Sequence, residues 1–461
     1  MPLSRLLIAN RGEIAVRINR AARALGIETV QVLSAADRDT MAADLADRTL
    51  VIGPGPAGAS YLRPDLIVHA ALATGCDAVH PGYGFLSERA GLADLCADND
   101  ITFVGPPGSI LTALGDKLEA RAIADRVGVP RVPGTDKIGS AREAIDAAER
   151  IGFPVLMKAA AGGGGRGMFI ARDASALKTS FDKASAEAKE AFGDGTLYME
   201  RFVENARHVE VQVMGDGTGH VVHFGERDCS VQRRYQKIIE EAPCTVMPER
   251  VKSALHQAAV DLVTSVKYRN AGTVEFLYDL DREEFYFIEV NARIQVEHPV
   301  SEIVTGEDLV QWQLRIAGGE PLSLNQSDLA ISGHAIECRI NAEDPHKDFH
   351  PQPGRLTSWH LEHSSAVRLD SHCRPGAMVP PYYDSMLGKL IVHGSTRTEA
   401  AALMGSCLAD FTIKGITTNR DFQRFIVQHP DFIANRFNTK WLEQHGLPAF
   451  LNDGRPADGP H

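Results

Sequence analysis

The chain has 461 residues, 44% of them hydrophobic and 23% charged, enough for roughly two to four domains with their own cores and unlike a disordered or fibrous protein. The 48 Lys and Arg against 60 Asp and Glu leave a net charge of −12, which excludes a broad nucleic-acid or anionic-membrane surface but leaves room for local basic clusters that bind a phosphorylated small molecule. No apolar run approaches the roughly 18 to 20 residues that span a bilayer, residues 6–9 are too short for a signal-peptide core, and the seven cysteines contain no CxxC pair, so a cytoplasmic protein (or one in an equivalent reducing compartment) without a disulfide framework or structural zinc is expected.

Residues 5–9 read as a buried strand, 14–25 as a helix ending at Gly26, and 29–33 as the next strand. Helices around 66–74 and 92–97 and strands at 78–80 and 101–104 continue the alternation, which implies an open parallel α/β sheet over about the first 110 residues. Residues 53–58 match GxGxxG literally, but Pro54 and Pro56 remove donors that a pyrophosphate loop needs and no smooth helix comes after them, so a dinucleotide site is rejected. The glycines around Tyr83 read from spacing alone as a turn.

A helix over 115–129 leads to a proline-rich boundary at 130–134, and residues 153–158 form a strand with Lys158 near its end. The run from Gly162 to Gly167 then lies between two apolar strands, where a loop whose N–H groups and Arg166 close over phosphates explains the glycines better than a linker does. It is not a Walker A loop, since it lacks the Gly-Lys-Ser/Thr ending. Residues 197–203 form a strand whose polar end suits an adenine edge; His208 by itself reads as structural; and the cations within 226–243, Lys237 among them, are interleaved with Cys229, Val231 and Ile238 in a way that suits an anion pocket as well as a solvated face.

The chemistry concentrates at residues 285–299. In a straight strand Glu289, Asn291, Arg293, Gln295 and Glu297 would share one face, a pattern that a solvated edge also allows. The preceding strand, 271–279, pairs with it through a polar turn centred on Arg282, which sets Glu275 opposite Glu289. Like charges so placed destabilise a sheet unless a cation separates them, and two carboxylates with the Asn291 amide oxygen favour Mg²⁺ or Mn²⁺ over zinc.

Taken together, Ile8-Ala-Asn-Arg-Gly-Glu13-Ile, His80-Pro-Gly-Tyr-Gly-Phe-Leu-Ser-Glu88, Lys158 with residues 162–168, Arg207-His-Val-Glu210, Glu226-Arg-Asp-Cys-Ser230, Arg293-Ile-Gln-Val-Glu-His-Pro299 and Arg339-Ile-Asn-Ala-Glu-Asp344 resemble the biotin carboxylases, in particular the stand-alone subunit of bacterial acetyl-CoA carboxylase. The resemblance implies an ATP-grasp fold of mixed α/β and α+β class: an N-terminal open parallel α/β domain over 1–115, a helical hinge over 116–130, a mobile lid over 131–204, a C-terminal mixed-sheet domain over 205–447 and a disordered tail from 448 to 461. ATP would lie between lid and C-terminal domain. Its contacts would come from Lys117, Lys158, Gly164, Gly165, Arg166, Gly167, Met168, Glu200, Arg201, Phe202, Val203, His208, Gln232, Tyr235, Glu275 and Glu289, with Glu275, Glu289 and Asn291 on the metal.

The implied reaction is the first half-reaction of an acyl-CoA carboxylase, with acetyl-CoA as the leading acceptor: MgATP and bicarbonate give carboxyphosphate, and the carboxyl group passes to biotin. Glu297 would be the base, with Lys237, Arg293, Gln295 and the Val296 backbone orienting bicarbonate, Arg339 stabilising the biotin enolate oxygen, and Tyr83, Gly84 and Asp384 lining the biotin pocket. Tyr235 departs from the histidine usual in the acetyl-CoA carboxylase subunit, as do Ala292 and residues 346–351 from their usual counterparts, so a subunit of another biotin-dependent carboxylase and a non-catalytic nucleotide-binding scaffold stay as alternatives. No Met-Lys-Met biotinylation site occurs, so biotin is expected on a separate biotin carboxyl carrier protein with separate carboxyltransferase subunits, and the resemblance suggests a homodimer.

Overall fold

Leu6, Leu7 and Ile8 are fully buried because β1 (Arg5–Ile8) lies inside a parallel sheet covered on both faces. Around it stand β2 (Glu28–Ser34), β3 (Arg48–Gly53), β4 (Ala78–His80) and β5 (Thr102–Phe103), in the order β3-β2-β1-β4-β5, every pair parallel. Helix α1 (Gly12–Ala24) packs through Ile14, Ala15, Ile18, Ala21 and Ala22, an apolar stripe at helical spacing. The edge strand β3 adds to the expected elements; only one of its faces has cover, so its apolar run is short and its flanks are polar.

The computed structural model describes residues 2–135, 137–159, 168–192, 195–362 and 364–453, and the chain divides into two compact units. The smaller consists of Pro130–Ala206 together with Tyr278–Phe287. Within it β6 (Val155–Ala159), β7 (Met168–Ala171) and β8 (Leu197–Arg201) form an antiparallel sheet in the order β7-β6-β8. The helices Ala141–Ile151 and Ala174–Phe192 bury Ala144, Ala148, Leu177 and Phe181 against Val155, Met157, Leu197 and Met199. The glycine run, including Gly164, Gly165, Arg166 and Gly167, lies outside the described residues.

The larger unit contains the parallel sheet and most of an eight-stranded sheet. The latter runs, in chain order, through β9 (Ala206–Asp216), β10 (Val221–Arg233), β11 (Gln236–Ala242), β12 (Arg269–Asp279), β13 (Glu284–Asn291) and β14 (His334–Asn341), and ends with the strands Val367–Ser371 and Met386–Gly394. Its spatial order is β13-β12-β9-β10-β11-β14, then Met386–Gly394, then Val367–Ser371. Two registers bring like charges together on its polar face: Glu240 on β11 lies opposite Glu337 on β14, and Arg339 on β14 lies opposite Lys389. On the sheet's other face Phe349, Trp359, Phe411, Phe422, Phe432 and Trp441 belong to one extended apolar cluster.

The tail departs from expectation. Leu447–Asn452 is a helix, and the Phe450 ring lies 5.1 Å from Phe422 and 5.5 Å from Phe425, so disorder does not begin at residue 448; Leu447 and Phe450 supply enough apolar surface to dock one turn, while 454–461 are outside the described residues. All seven cysteines are buried and unpaired, and no helix among the described residues is long and apolar enough to cross a membrane.

Phe422 is fully buried and meets Phe349 and Phe450 edge-on. Phe422→Ala should therefore cost about 3–5 kcal/mol of stability through lost burial and a cavity, measured by urea denaturation, and should release the 447–452 helix to proteolysis.

Candidate active site

The strand that carries the carboxylates stops sooner than alternation suggests. β13 ends at Asn291; residues 292–297 form a loop, and Glu297 is the N-cap position of the helix His298–Thr305. Glu289, Asn291, Arg293, Gln295, Val296 and Glu297 nevertheless all line one cavity of about 630 Å³, because the loop bends back across the strands that carry Lys237 and Arg339.

The centre of the cavity is a buried charge cluster. The Lys237 ammonium lies 2.5 Å from Glu210, 2.9 Å from Glu275 and 2.6 Å from Glu297. Burial works against the ammonium, but these three carboxylates hold its pKa well above the ordinary lysine value. Glu297 reaches Lys237 through one oxygen and Arg339 through the other, at 3.0 Å; burial opposes its charge, yet Lys237, Arg339 and Arg227 keep it well below the usual carboxylate range. Arg339 is held in turn by Glu240 at 2.6 Å.

Beneath this layer Arg227, fully buried, bonds Glu210 at 2.6 Å, Gln212 at 2.8 Å and Ser301 at 3.0 Å. Burial and then the neighbouring Glu297 push Glu240 up to about 7 in spite of Arg339, and burial raises its cross-strand partner Glu337 well above the carboxylate range. Glu337 therefore keeps its proton at neutral pH, whereas Glu240 is only partly protonated there.

Glu275 and Glu289 face the same space. Glu275 carries its charge easily: burial is outweighed by Lys237 and by His208, whose Nε2 is 3.1 Å away. Glu289 does not, since burial and the charge of Glu275 raise it, and among the described residues no hydrogen bond or ion pair reaches its carboxylate. A divalent cation would relieve that carboxyl, and two carboxylates with an amide oxygen are hard donors, so the residues fit Mg²⁺ or Mn²⁺. The Asn291 oxygen here accepts from Arg293 at 3.0 Å while its nitrogen donates to Glu275 at 3.0 Å. His208, Glu210 and Glu275 also offer ligand atoms within 4.8 Å of one another, but the Lys237 ammonium already bonds both of those carboxylates.

The other end of the cavity comes from the parallel sheet. Gly82 and Gly84 take positive φ, +64° and +67°, and Asn10 Nδ2 donates to the carbonyls of Pro81 and Tyr83 at 2.6 and 2.7 Å, which turns the loop so that Tyr83 and Gly84 line the cavity and the Tyr83 hydroxyl donates to Glu13. What spacing alone read as a plain turn is a wall of the site. Asp384 and the largely exposed Tyr235, at the tip of the β10–β11 hairpin, line the same cavity.

Lys117 lines a second space of about 430 Å³, with Glu289 and Asn291 on its wall. Gln232 stands behind His208, 2.7 Å from its Nδ1, and so orients the ring. Lys158, Glu200, Arg201, Phe202 and Val203 belong to the smaller unit, as does Met168 on β7; Lys158 pairs with Glu200 there, and Arg201 bonds Tyr286. Sequence reasoning missed Glu13, Glu210, Glu240, Arg227 and Lys389 as parts of the site. The alternation of His208, Glu210 and Gln212 along a buried strand pointed to an internal polar face, and Glu13 comes after a strand of a parallel sheet, where ligands collect at the carboxyl ends.

An α/β domain, an antiparallel lid-type unit and a large sheet whose charged face holds a carboxylate pair beside a lysine–arginine cluster define an ATP-grasp ligase. Residues 2–111 match the biotin carboxylase N-terminal domain, 116–325 the carbamoyl-phosphate synthase L chain ATP-binding domain, and 337–444 the biotin carboxylase C-terminal domain. Biotin carboxylase 1 of Bacillus subtilis is 48% identical over 446 residues, 96% of this chain and 99% of that one. Among solved structures, the biotin carboxylase domain of a thermophilic 2-oxoglutarate carboxylase bound to bicarbonate superposes with a TM-score of 0.93 at 40% identity over 98% of this chain and all of that one. The dimeric domain of the Hydrogenobacter thermophilus enzyme with MgADP, ADP and bicarbonate gives 0.88 at 41% over 99% and 100%. The chain belongs to the biotin carboxylase family.

Because Glu240 is raised to about 7, it adds stability that is complete below about pH 4.5 and is lost as pH rises through 7. Glu240→Gln should flatten that decline by up to about 3 kcal/mol, read as urea midpoints from pH 5 to 8; an unchanged slope would place the retained proton elsewhere.

Proposed function

We propose that the described cavity carries out the MgATP-dependent carboxylation of biotin in two stages, with the loop 293–297 holding bicarbonate and the Tyr83 end receiving biotin. The observation that carries this reading is Glu297, a buried ionised carboxylate shared by Lys237 and Arg339 in the same cavity as the carboxylates Glu275 and Glu289.

Bicarbonate is a weak nucleophile, so its position matters more than its activation. Arg293, Gln295, Lys237 and the Val296 N–H would orient it, the guanidinium matching its planar oxygens. Glu297 would accept the bicarbonate proton on a carboxylate oxygen. Since the cations around it make Glu297 a weak base, that transfer occurs only as the bond to the γ-phosphorus forms and the bicarbonate hydroxyl becomes acidic. Glu275, Glu289 and Asn291 would hold Mg²⁺ or Mn²⁺, which neutralises charge on the β- and γ-phosphates.

In the second stage the C–O bond of carboxyphosphate would break to give CO2 and phosphate, the phosphate would take the N1′ proton of biotin, and N1′ would bond the CO2 carbon while Arg339 stabilises the charge that moves to the ureido oxygen. Glu240 and Glu297 hold the guanidinium in place for it, and Tyr83, Gly84 and Asp384 flank the ring.

Lys117, Lys158, His208 and Tyr235 would serve the nucleotide together with the glycine run, Met168, Gln232 and the segment Glu200 to Val203. In this reading residues 1–115 form the N-terminal domain, 116–130 the hinge, 131–204 the lid and 205–447 the C-terminal domain. Biotin would arrive on a biotin carboxyl carrier protein and leave to carboxyltransferase subunits in the cytoplasm, with acetyl-CoA the leading acceptor and a homodimer the working state. The resemblance to 2-oxoglutarate carboxylase domains keeps another acceptor as the second reading, and isolation of the carrier and transferase that co-purify from the host decides between them.

Arg339→Ala should lower biotin carboxylation by about a hundredfold or more while the ATP KM stays within about twofold of wild type, measured as ADP release with bicarbonate and Mg²⁺, with and without free biotin. ATP affinity falling in parallel would remove Arg339 from the biotin step, and a wild-type enzyme without biotin-stimulated turnover would sink the whole reading.

A further inference from the structure

Three successive carbonyls of the loop between β13 and the 298–305 helix are each gripped by a side chain. Arg293 Nη1 donates to the Ile294 carbonyl at 3.2 Å, the His298 ring to the Gln295 carbonyl through Nδ1 at 2.8 Å, and the Lys389 ammonium to the Val296 carbonyl at 2.7 Å. We propose that His298 and Lys389 are positioning residues that set the peptide planes of the bicarbonate loop, so that the Val296 N–H and the Glu297 carboxylate face the anion; this rests on the assignment of bicarbonate to residues 293–297.

Peptide planarity supplies the geometry. In a trans peptide the C=O and N–H point in opposite directions, so the bond that fixes the Gln295 carbonyl on His298 turns the Val296 N–H away from that ring. Among the described residues this N–H has no hydrogen-bond partner, and Val296 lines the cavity. The next carbonyl, held by Lys389, fixes the peptide that leads into Glu297. Arg339 and Lys389 lie directly opposite each other on neighbouring strands, an arrangement that repels unless something anionic or polar lies across both. The loop does this: Arg339 takes the Glu297 side chain and Lys389 the carbonyl just before it.

Packing alone does not account for the two residues. Both are fully buried, and a buried ammonium or imidazole costs more than the apolar side chain that would fill its space. Lys389 is balanced by Glu13 at 3.2 Å, the same carboxylate that accepts from the Tyr83 hydroxyl, so one counterion ties the bicarbonate loop to the opposite wall of the cavity. His298 is kept neutral by burial and then by Lys389, Arg17 and Arg368, which leaves its ring one N–H to give, and the Gln295 carbonyl is within reach of Nδ1.

The test is steady-state ADP release against bicarbonate and, separately, against ATP. His298→Leu and Lys389→Met should each raise the bicarbonate KM about tenfold or more with the ATP KM within about twofold. His298→Asn, whose side-chain nitrogen can stand where Nδ1 stands, should recover most of the bicarbonate KM. If Lys389→Met fails to give a cooperative melting curve, the His298 pair decides by the same criterion. Folded variants with an unchanged bicarbonate KM, a parallel rise of both KM values, or an Asn variant no better than Leu would overturn the inference; a wild-type enzyme whose ADP release ignores bicarbonate would instead overturn the bicarbonate assignment beneath it.

Discussion

The Lys237 ammonium, surrounded by Glu210, Glu275 and Glu297, is the interaction on which the rest of the site depends. Taking those charges out of water costs several kcal/mol for each ion unless partners are placed closely around it. The protein meets this by building the cluster on sheet strands, where neighbouring backbones fix side-chain positions. Glu210 comes from β9, Arg227 from β10, Lys237 and Glu240 from β11, Glu275 from β12 and Arg339 from β14. Carboxylates outnumber cations in this cluster, and burial raises Glu240 to about 7 and Glu337 well above the carboxylate range.

That constraint explains the shape of the segment between β13 and the next helix. A straight strand would carry Glu297 along the sheet; the loop instead brings its carboxylate onto both Lys237 and Arg339. The consequence is a division of labour along a few residues. Glu289 and Asn291, still on the strand, face the side suited to a divalent cation, whereas residues 293–297, on the loop, face the cations suited to a small anion. In the proposed function, this one stretch of backbone would align a nucleotide phosphate with its attacker.

The N-terminal α/β sheet contributes differently. Its central strands are buried on both faces and offer only their carboxyl ends, so what it supplies are the segments after β1 and β4: Asn10, Arg11 and, in the first turn of α1, Glu13 from one, Tyr83 and Gly84 from the other. Asn10 ties the two turns together, and Glu13 joins them to Lys389 on the large sheet.

Much of this was legible in the chain alone. Apolar runs such as residues 6–8 and the spacing of α1 determine a parallel α/β domain, since the periodicities of strand and helix differ and only one suits each stretch. The ligand-type residues at alternate positions from 289 to 297 marked the site, and the opposition of Glu275 and Glu289 pointed to a cation through charge repulsion alone. What sequence could not decide were the pairings between distant strands. Glu240 and Glu337 are 97 positions apart, and neither reads as more than an alternating polar residue, yet the sheet sets them opposite each other in a buried site, and burial raises the pKa of both. The bend after Asn291, the meeting of Glu297 with Arg339 and the grip of Lys389 on Val296 arise from the same cause: charge balance and peptide orientation belong to the folded cluster, where residues far apart in the chain share one low-dielectric space.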